Sequence, residues 1–225
     1  LDNLNFLDIH THKTKSESTA FAIQNVFSHF ELIDATGYYS AGLHPWYLDV
    51  TTAKKQFSEL EKICSKENVL AIGECGLDKV CTTNMKLQEE YFIKQVQLAN
   101  LIQKPIIIHC VRAFDEVLQI LKKCGNKVPV IFHGFNKSAN LADKILSKGH
   151  YLAFGSHLNN QNIAEVFRSV PEDRVFLETD DATQSIEDIY KVAAQIKQMD
   201  LSILQQQIAI NAGIVFGTKF AVNNE

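Results

Sequence analysis

Eight short apolar runs, separated by segments of helical period, restrict what this sequence can fold into more than any other feature. They are Asn5–His10, Ala20–Phe27, Tyr38–Leu43, Val69–Glu74, Pro105–His109, Val128–His133, Tyr151–Gly155 and Val175–Asp180. Each is short, β-branched or aromatic, and apolar on both faces, as expected of strands buried between layers. Between the later runs, Leu87, Tyr91, Leu98, Ala99 and Ile102 fall on one helical face with polar Gln95 among them. Phe114, Val117, Leu118 and Leu121 repeat the pattern, as do Leu141, Ile145 and Leu146, then Ile189, Tyr190, Ala193 and Ile196. Thr51 or Thr52 offers a cap for a helix running to about Ser65. This alternation predicts a parallel sheet with right-handed crossovers, closed into a (β/α)8 TIM-type barrel. Thr11 to Thr19 and Ser28 to Gly37 leave hardly any room for a crossover helix, so the barrel is expected to lack one or two outer helices near its start. The 225 residues suit a single domain, 1–225.

With 22 Lys+Arg against 26 Asp+Glu, the formal net charge of −4 excludes a broad basic face for gripping nucleic acid. Any phosphate chemistry must draw positive charge from elsewhere. No apolar run approaches the ~18 residues of a membrane span, and no basic-then-apolar stretch reads as a secretion signal. Five cysteines (Cys64, Cys75, Cys81, Cys110, Cys124) are an odd count without a Cys-x-x-Cys pair, the pattern of reduced, packing thiols in a cytoplasmic protein. A zinc ribbon does not fit.

The chemistry-bearing residues are positional. His10, Glu74, His109, His133 and Asp180 each close one of the predicted strands, and His12 follows His10 by two. In a barrel the C-terminal rim is where the active site forms. Individually, a strand-end His more often bonds a loop carbonyl, and an Asp there often caps the next helix. Six on one rim outweigh those readings. His-x-His in extended chain sends both imidazoles to one side. Four imidazoles with two carboxylates suit zinc, manganese, cobalt or iron, and magnesium less naturally. Glu74 is placed to bridge two divalent ions. Such a pair leaves the site net positive, which lets an acidic chain hold a phosphate-bearing substrate. Asp180 beside a bound water suits the general base. Gln95 reads as a buried amide tying helix to strand, and Cys75 and Cys110 as packing on the opposite strand face.

The chain resembles the TatD family, metal-dependent hydrolases of the amidohydrolase superfamily, many of them deoxyribonucleases. The resemblance rests on Asp8-Ile9-His10-Thr11-His12, Gly42-Leu43-His44-Pro45, Ile72-Gly73-Glu74-Cys75-Gly76-Leu77-Asp78, Gln88-x-x-x-Phe92-x-x-Gln95, Pro105-Ile106-Ile107-Ile108-His109 and Glu178-Thr179-Asp180. Asn211 to Phe216 is similar to the family's C-terminal segment, so the match is collinear from residue 8 to about 217. It implies two divalent metal ions (Zn, Mn, Mg, Co or Fe), with His10 and His12 on one, His109 and His133 on the other, Glu74 between them, and Asp180 binding metal and taking a proton from water. It further implies DNA as substrate, held through the metal site. His44 would face the substrate or fix its own turn, Glu178 would orient a His, and Arg112 would reach a phosphate. The chain departs from the family on loops: Cys110-Val111-Arg112 after His109, Gly134-Phe135-Asn136 after His133, and Asp181-Ala182 after Asp180. The expectation is a deoxyribonuclease, monomeric and not membrane-bound. The alternative is an esterase, lactonase or deacylase acting on a small metabolite.

Overall fold

The computed structural model describes residues 6–13 and 21–217. Eight strands are present among them: β1 (Leu7–Thr11), β2 (Phe21–Val26), β3 (Tyr38–Ala41), β4 (Val69–Asp78), β5 (Ile106–Val111), β6 (Val130–Phe132), β7 (Tyr151–Phe154) and β8 (Val175–Leu177). The helices are α1 (Ala53–Ile63), α2 (Met85–Ile102), α3 (Phe114–Lys123), α4 (Ala139–Leu146), α5 (Gln161–Ser169), α6 (Ile186–Lys197) and α7 (Leu201–Phe216). The chain packs as two compact units, Asn25–Phe132 and the remainder, and each is described by itself. Among the described residues no helix is long and apolar enough to cross a membrane.

Within Asn25–Phe132, β4 is the central strand. It pairs in parallel with β3 (Tyr39↔Val69, Ser40↔Ala71) and with β5 (Ile72↔Ile106, Gly76↔His109), and β5 pairs with β6 (Ile107↔Ile131). All ten residues of β4 are buried, as a strand covered on both faces must be. The sequence suggests that this strand ends at Glu74; it runs on to Asp78, because Leu77 and Asp78 continue the ladder against Cys110 and Val111. Two glycines permit the close approach. Gly76 has φ +146°, and a Cβ there would lie 2.0 Å from the His109 carbonyl oxygen. Gly73 has φ +141°, with the Ile107 oxygen at 2.4 Å from such a Cβ.

Helix α2 is capped by the Asn84 side chain, which accepts from the Lys86 amide. Its buried face carries Gln88, Tyr91, Phe92, Gln95, Val96, Leu98 and Ala99. Leu87 and Ile102 are only half-buried, so the face is rotated from the purely apolar one. The cause is polar: Gln88 Oε1 accepts from the Asp78 amide at 2.8 Å while its Nε2 donates to the Asp78 carbonyl at 3.0 Å. Gln95 does the same for Leu43, accepting from its N–H at 2.7 Å and donating to its carbonyl at 3.2 Å. At the other end, the Lys104 ammonium donates to the carbonyls of Cys64, Lys66 and Val69 at 2.6, 2.8 and 2.5 Å, closing the end of α1 over the start of β4. Helix α1 follows Thr52 as expected, but Thr52 makes no side-chain cap and the helix stops at Ile63. Between β2 and β3 there is a single 3-10 turn, Phe30–Leu32, and no α-helix, as that short connection requires.

In the other unit β1 pairs with β2 (Leu7↔Phe21, Asp8↔Ala22) and β7 with β8 (Leu152↔Val175, Phe154↔Leu177), all in parallel. The connection expected to lack a helix after Thr11 falls largely on residues 14–20, outside the described residues. Strand β8 ends at Leu177, three residues short of Asp180. Asp180 instead adopts a left-handed backbone, φ +53°, and bridges β1: its amide donates to the His10 carbonyl at 2.9 Å, and the His12 amide donates to its carbonyl at 3.1 Å. Buried Tyr190 of α6 donates its hydroxyl to the Leu7 carbonyl at 3.0 Å. Asn211 of α7 donates to the carbonyls of Glu172 and Val175 at 2.8 and 2.9 Å, fixing the helix beneath β8. Lys197, at the end of α6, has a side chain only 2% exposed. Its ammonium donates to the carbonyls of Arg168, in the last turn of α5, and Val170, just after it, and lies over the Phe167 ring.

Candidate functional site

The first group of ligand-type side chains lies on β1 and the segment after β8. Ligand atoms of His10, His12 and Asp180 all fall within 4.8 Å of one another. His10 Nε2 is 3.7 Å and His12 Nε2 3.3 Å from the same oxygen, Asp180 Oδ1. The two-residue repeat of an extended chain thus delivers both imidazoles to one carboxylate. His10 is fully buried, whereas the side chains of His12 and Asp180 are 31% and 36% exposed. The group therefore has a solvent-facing side. The His133 ring packs on that of His10 with centroids 4.4 Å apart. His133 Nδ1 lies 3.6 Å from Glu178 Oε1, which also accepts the Gly134 amide. Glu178 Oε2 is buried with no hydrogen-bond partner among the described residues.

A second carboxylate holds this segment in place. Asp8 accepts from the Thr179 amide at 3.0 Å and from its hydroxyl at 2.6 Å, so the residue preceding Asp180 is pinned to β1. Burial pushes the Asp8 carboxyl up to about 6 despite those hydrogen bonds. Alternation along a strand does not place Glu178 and Asp180, because both lie past the end of β8; the Asp8–Thr179 pairing and the left-handed turn place them.

The second group lies on β4, β5 and the turn after β3. Ligand atoms of His44, Glu74 and His109 fall within 4.8 Å of one another. Glu74 Oε1 is 2.9 Å from His109 Nδ1 and 3.1 Å from His44 Nε2. His44 Nδ1 accepts the Trp46 amide at 3.2 Å, so its Nε2 carries the proton and donates to Glu74. His44 thus fixes its own turn and orients Glu74 at the same time. Asn25 grips Glu74 twice, donating from Nδ2 to Oε2 at 3.2 Å and accepting the Glu74 amide at 2.8 Å. His109 Nε2 is 3.0 Å from Asp78 Oδ2, which also accepts the Trp46 indole N–H at 2.6 Å. Burial alone would raise the Asp78 carboxyl, but hydrogen bonds from Trp46, His109 and the amides of Val80 and Cys81 outweigh it and hold the group below its ordinary value.

The donor chemistry suits a divalent cation. A neutral imidazole has one N–H, so His109 can satisfy only one of the two carboxylates that flank it. The surplus negative charge is what a metal ion neutralises. A carboxylate on the outer nitrogen of an imidazole is the arrangement that fixes a ligating ring. Zinc, manganese, cobalt and iron all accept such mixed nitrogen and oxygen sets.

Of the residues singled out from sequence, His10, His12 and Asp180 come together, His133 packs on His10, and Glu178 sits beside His133. In the other unit His44, Glu74 and His109 come together. Arg112 is exposed, on a left-handed residue of φ +54° just after β5. Asn25 and Asp78 were not anticipated as site residues. Asp78 was legible, since it lies four residues after Glu74 and shares its strand face. Asn25 carried only the signal of a polar residue in an apolar run. Cys75 is buried among packing atoms with its thiol pushed well up by burial, while Cys110 is half-buried; no disulfide is formed among the described residues.

The protein resembles known relatives over most of its length. An uncharacterised metal-dependent hydrolase of Bacillus subtilis is 36% identical over 149 residues, covering 64% of this chain and 58% of the relative. A protein of Pantoea named a 3'-5' ssDNA/RNA exonuclease is 31% identical over 147 residues, covering 63% of this chain and 56% of that one. The chain thus spans little more than half the length of these relatives. Its structure superposes on a TatD homologue from Escherichia coli with a TM-score of 0.81 at 19% identity, over 94% of this chain and 97% of that one. The fold is accordingly a (β/α)8 barrel of parallel strands with intervening helices, without an α-helix between β2 and β3. A family model described as TatD related DNase matches residues 10–217, from the first histidine of the His-x-His pair to the end of α7. With that span matched and the signature histidines and carboxylates gathered as described, the chain belongs to the TatD related DNase family.

Proposed function

We propose that this chain is a single hydrolase domain that uses two divalent metal ions to cleave phosphodiester bonds in DNA, with single-stranded DNA the favoured form. Support comes chiefly from one observation. Two imidazole–carboxylate groups of metal-ligand spacing, His10–His12–Asp180 and His44–Glu74–His109, occur in a chain of this family. On this proposal His10, His12, His133 and Asp180 would hold divalent metal in one unit, and Glu74 and His109 would hold it in the other. When bound, the ions supply Lewis-acid polarisation of the phosphoryl oxygen and the positive charge that the acidic chain lacks.

The protein's own groups have definite tasks. Asp180, partly open to solvent, takes the proton of the attacking water. Asn25 and His44 hold the Glu74 carboxylate in one orientation, and Asp78 keeps the outer nitrogen of His109 engaged. Glu178 Oε1, 3.6 Å from His133 Nδ1, is placed to orient that ring. Arg112, at the end of β5, contacts substrate phosphate. Cysteines outside any disulfide fit a cytoplasmic setting.

The experiment is a hydrolysis panel on the metal-loaded chain: single-stranded and duplex oligodeoxynucleotides, carboxyl esters and lactones. Single-stranded DNA should be cut, chelator should abolish cleavage, and Asp180→Ala should lower the rate by roughly 10²–10⁴-fold. Intact DNA alongside cleaved esters or lactones would overturn the nuclease assignment in favour of small-metabolite chemistry.

A further inference from the structure

The turn after β3 presents an aromatic surface beside the His44–Glu74–His109 group. Pro45, buried and of fixed φ, begins a 3-10 turn through Tyr47, and His44 Nδ1 accepts the Trp46 amide, so the turn is held at both its backbone and its first side chain. It then places two large rings half in water: Trp46 is 53% and Tyr47 52% exposed. Neither ring hangs loosely. The Trp46 indole N–H is bonded to Asp78, and its ring meets His109 edge-on, centroids 5.6 Å apart at 79°. Tyr47 stacks on half-buried Phe27 at 4.5 Å and 13°. Trp46 and Tyr47 themselves are 6.4 Å apart and inclined at 65°, so they offer two adjoining faces rather than one plane. This is a rigid, exposed, paired aromatic surface in direct contact with a proposed metal-binding histidine.

We propose that Trp46 and Tyr47 form a stacking platform for an unpaired base of single-stranded nucleic acid, setting the nucleotide next to the bond to be cut. The assignment rests on the nuclease activity proposed above. A nucleic acid is the occupant for two reasons. The net charge of −4 leaves π-faces, rather than a basic groove, to grip the strand, and stacking is the contact that works without cationic side chains. The platform also touches His109, so a base lying on it is adjacent to any phosphate held there. Every base has a π-face, so the platform tolerates any sequence but demands that the base be unstacked. Strand ends and single strands meet that demand.

Trp46 is the only tryptophan in the chain, so its emission reports on this surface alone. The full chain, loaded with zinc, is titrated with a cleavage-resistant phosphorothioate oligothymidylate and with an abasic phosphorothioate strand of equal length and charge. Saturable quenching by the first and not the second is expected. On the metal-loaded chain, the wild type should show a KM for the base-bearing strand roughly 10-fold below that for the abasic one. That discrimination should collapse in Trp46→Leu and in Tyr47→Leu but survive in Trp46→Phe, which keeps a ring and loses the bond to Asp78. Equal quenching by both strands, or an unmoved spectrum, overturns the platform; the latter leaves the surface to a protein partner. Base-dependent quenching without cleavage of any strand upholds the platform and sinks the hydrolytic assignment instead.

Discussion

Asn25 meets Glu74 with both ends of its amide, and the same oxygen that accepts the Glu74 amide also accepts the Ser40 hydroxyl at 3.2 Å. A side chain that does nothing but orient a ligand is felt in metal affinity before it is felt in folding. Asn25→Ala should therefore weaken divalent-ion binding by roughly 10–100-fold, measured calorimetrically, with circular dichroism unchanged. Unaltered affinity would show that His44 alone suffices to orient Glu74. Among single residues, the histidines and acids were readable from sequence because each stands out from the apolar strand that carries it. Asn25 was not, since an amide in a strand announces no chemistry until its partner is known. The position of Asp180 was readable, but its left-handed backbone was not. That backbone comes from the β1 carbonyl and amide that it bridges, contacts made across a sequence separation of about 170 residues.

At the level of elements, α2 shows how a helix is bolted to strands by amides rather than by apolar packing alone. Gln95 supplies both an acceptor and a donor to the Leu43 backbone, next to the turn that holds His44. Gln95→Leu keeps the volume but strands a buried N–H and a buried carbonyl, at about 1–3 kcal/mol each. Urea denaturation should register a loss of about 3 kcal/mol; a loss below about 1 kcal/mol would mean that water replaces the amide. The strands were legible in the sequence to within a few residues, because runs apolar on both faces admit few other structures. Their ends were less so. β4 overruns Glu74 because its glycines, which look like terminators, allow its backbone to approach β5. β8 stops short because Asp8 draws Thr179 out of the ladder and onto β1. The buried face of α2 differed from expectation for a related reason: hydrogen bonds, not hydrophobicity, chose its angle.

For the molecule as a whole, stability depends on keeping certain groups neutral. His150, just before β7, has its imidazole pushed down to about 4, first by burial and then by the charge of Lys148. Because the folded state resists protonating this ring and the unfolded chain does not, stability is complete above the ordinary value of 6.5. It declines as pH falls from there toward 4 and levels off below. Asp8, raised to about 6 by burial, acts in the opposite direction over the same range, so the His150 contribution is read as a difference: between pH 7 and pH 4 the melting temperature of His150→Gln should change less unfavourably than that of the parent chain. Parallel curves for the two proteins would assign the acid sensitivity to other groups.

The two lysines that close helix ends, Lys104 in Asn25–Phe132 and Lys197 in the other unit, have a practical corollary. An ammonium whose protons are committed to main-chain oxygens is a poor nucleophile, and burial lowers the Lys197 amine's own value without freeing it. Acylating reagents would spare both until the surrounding chain opens. Each lysine is thus a built-in marker of whether its own half of the protein has come undone.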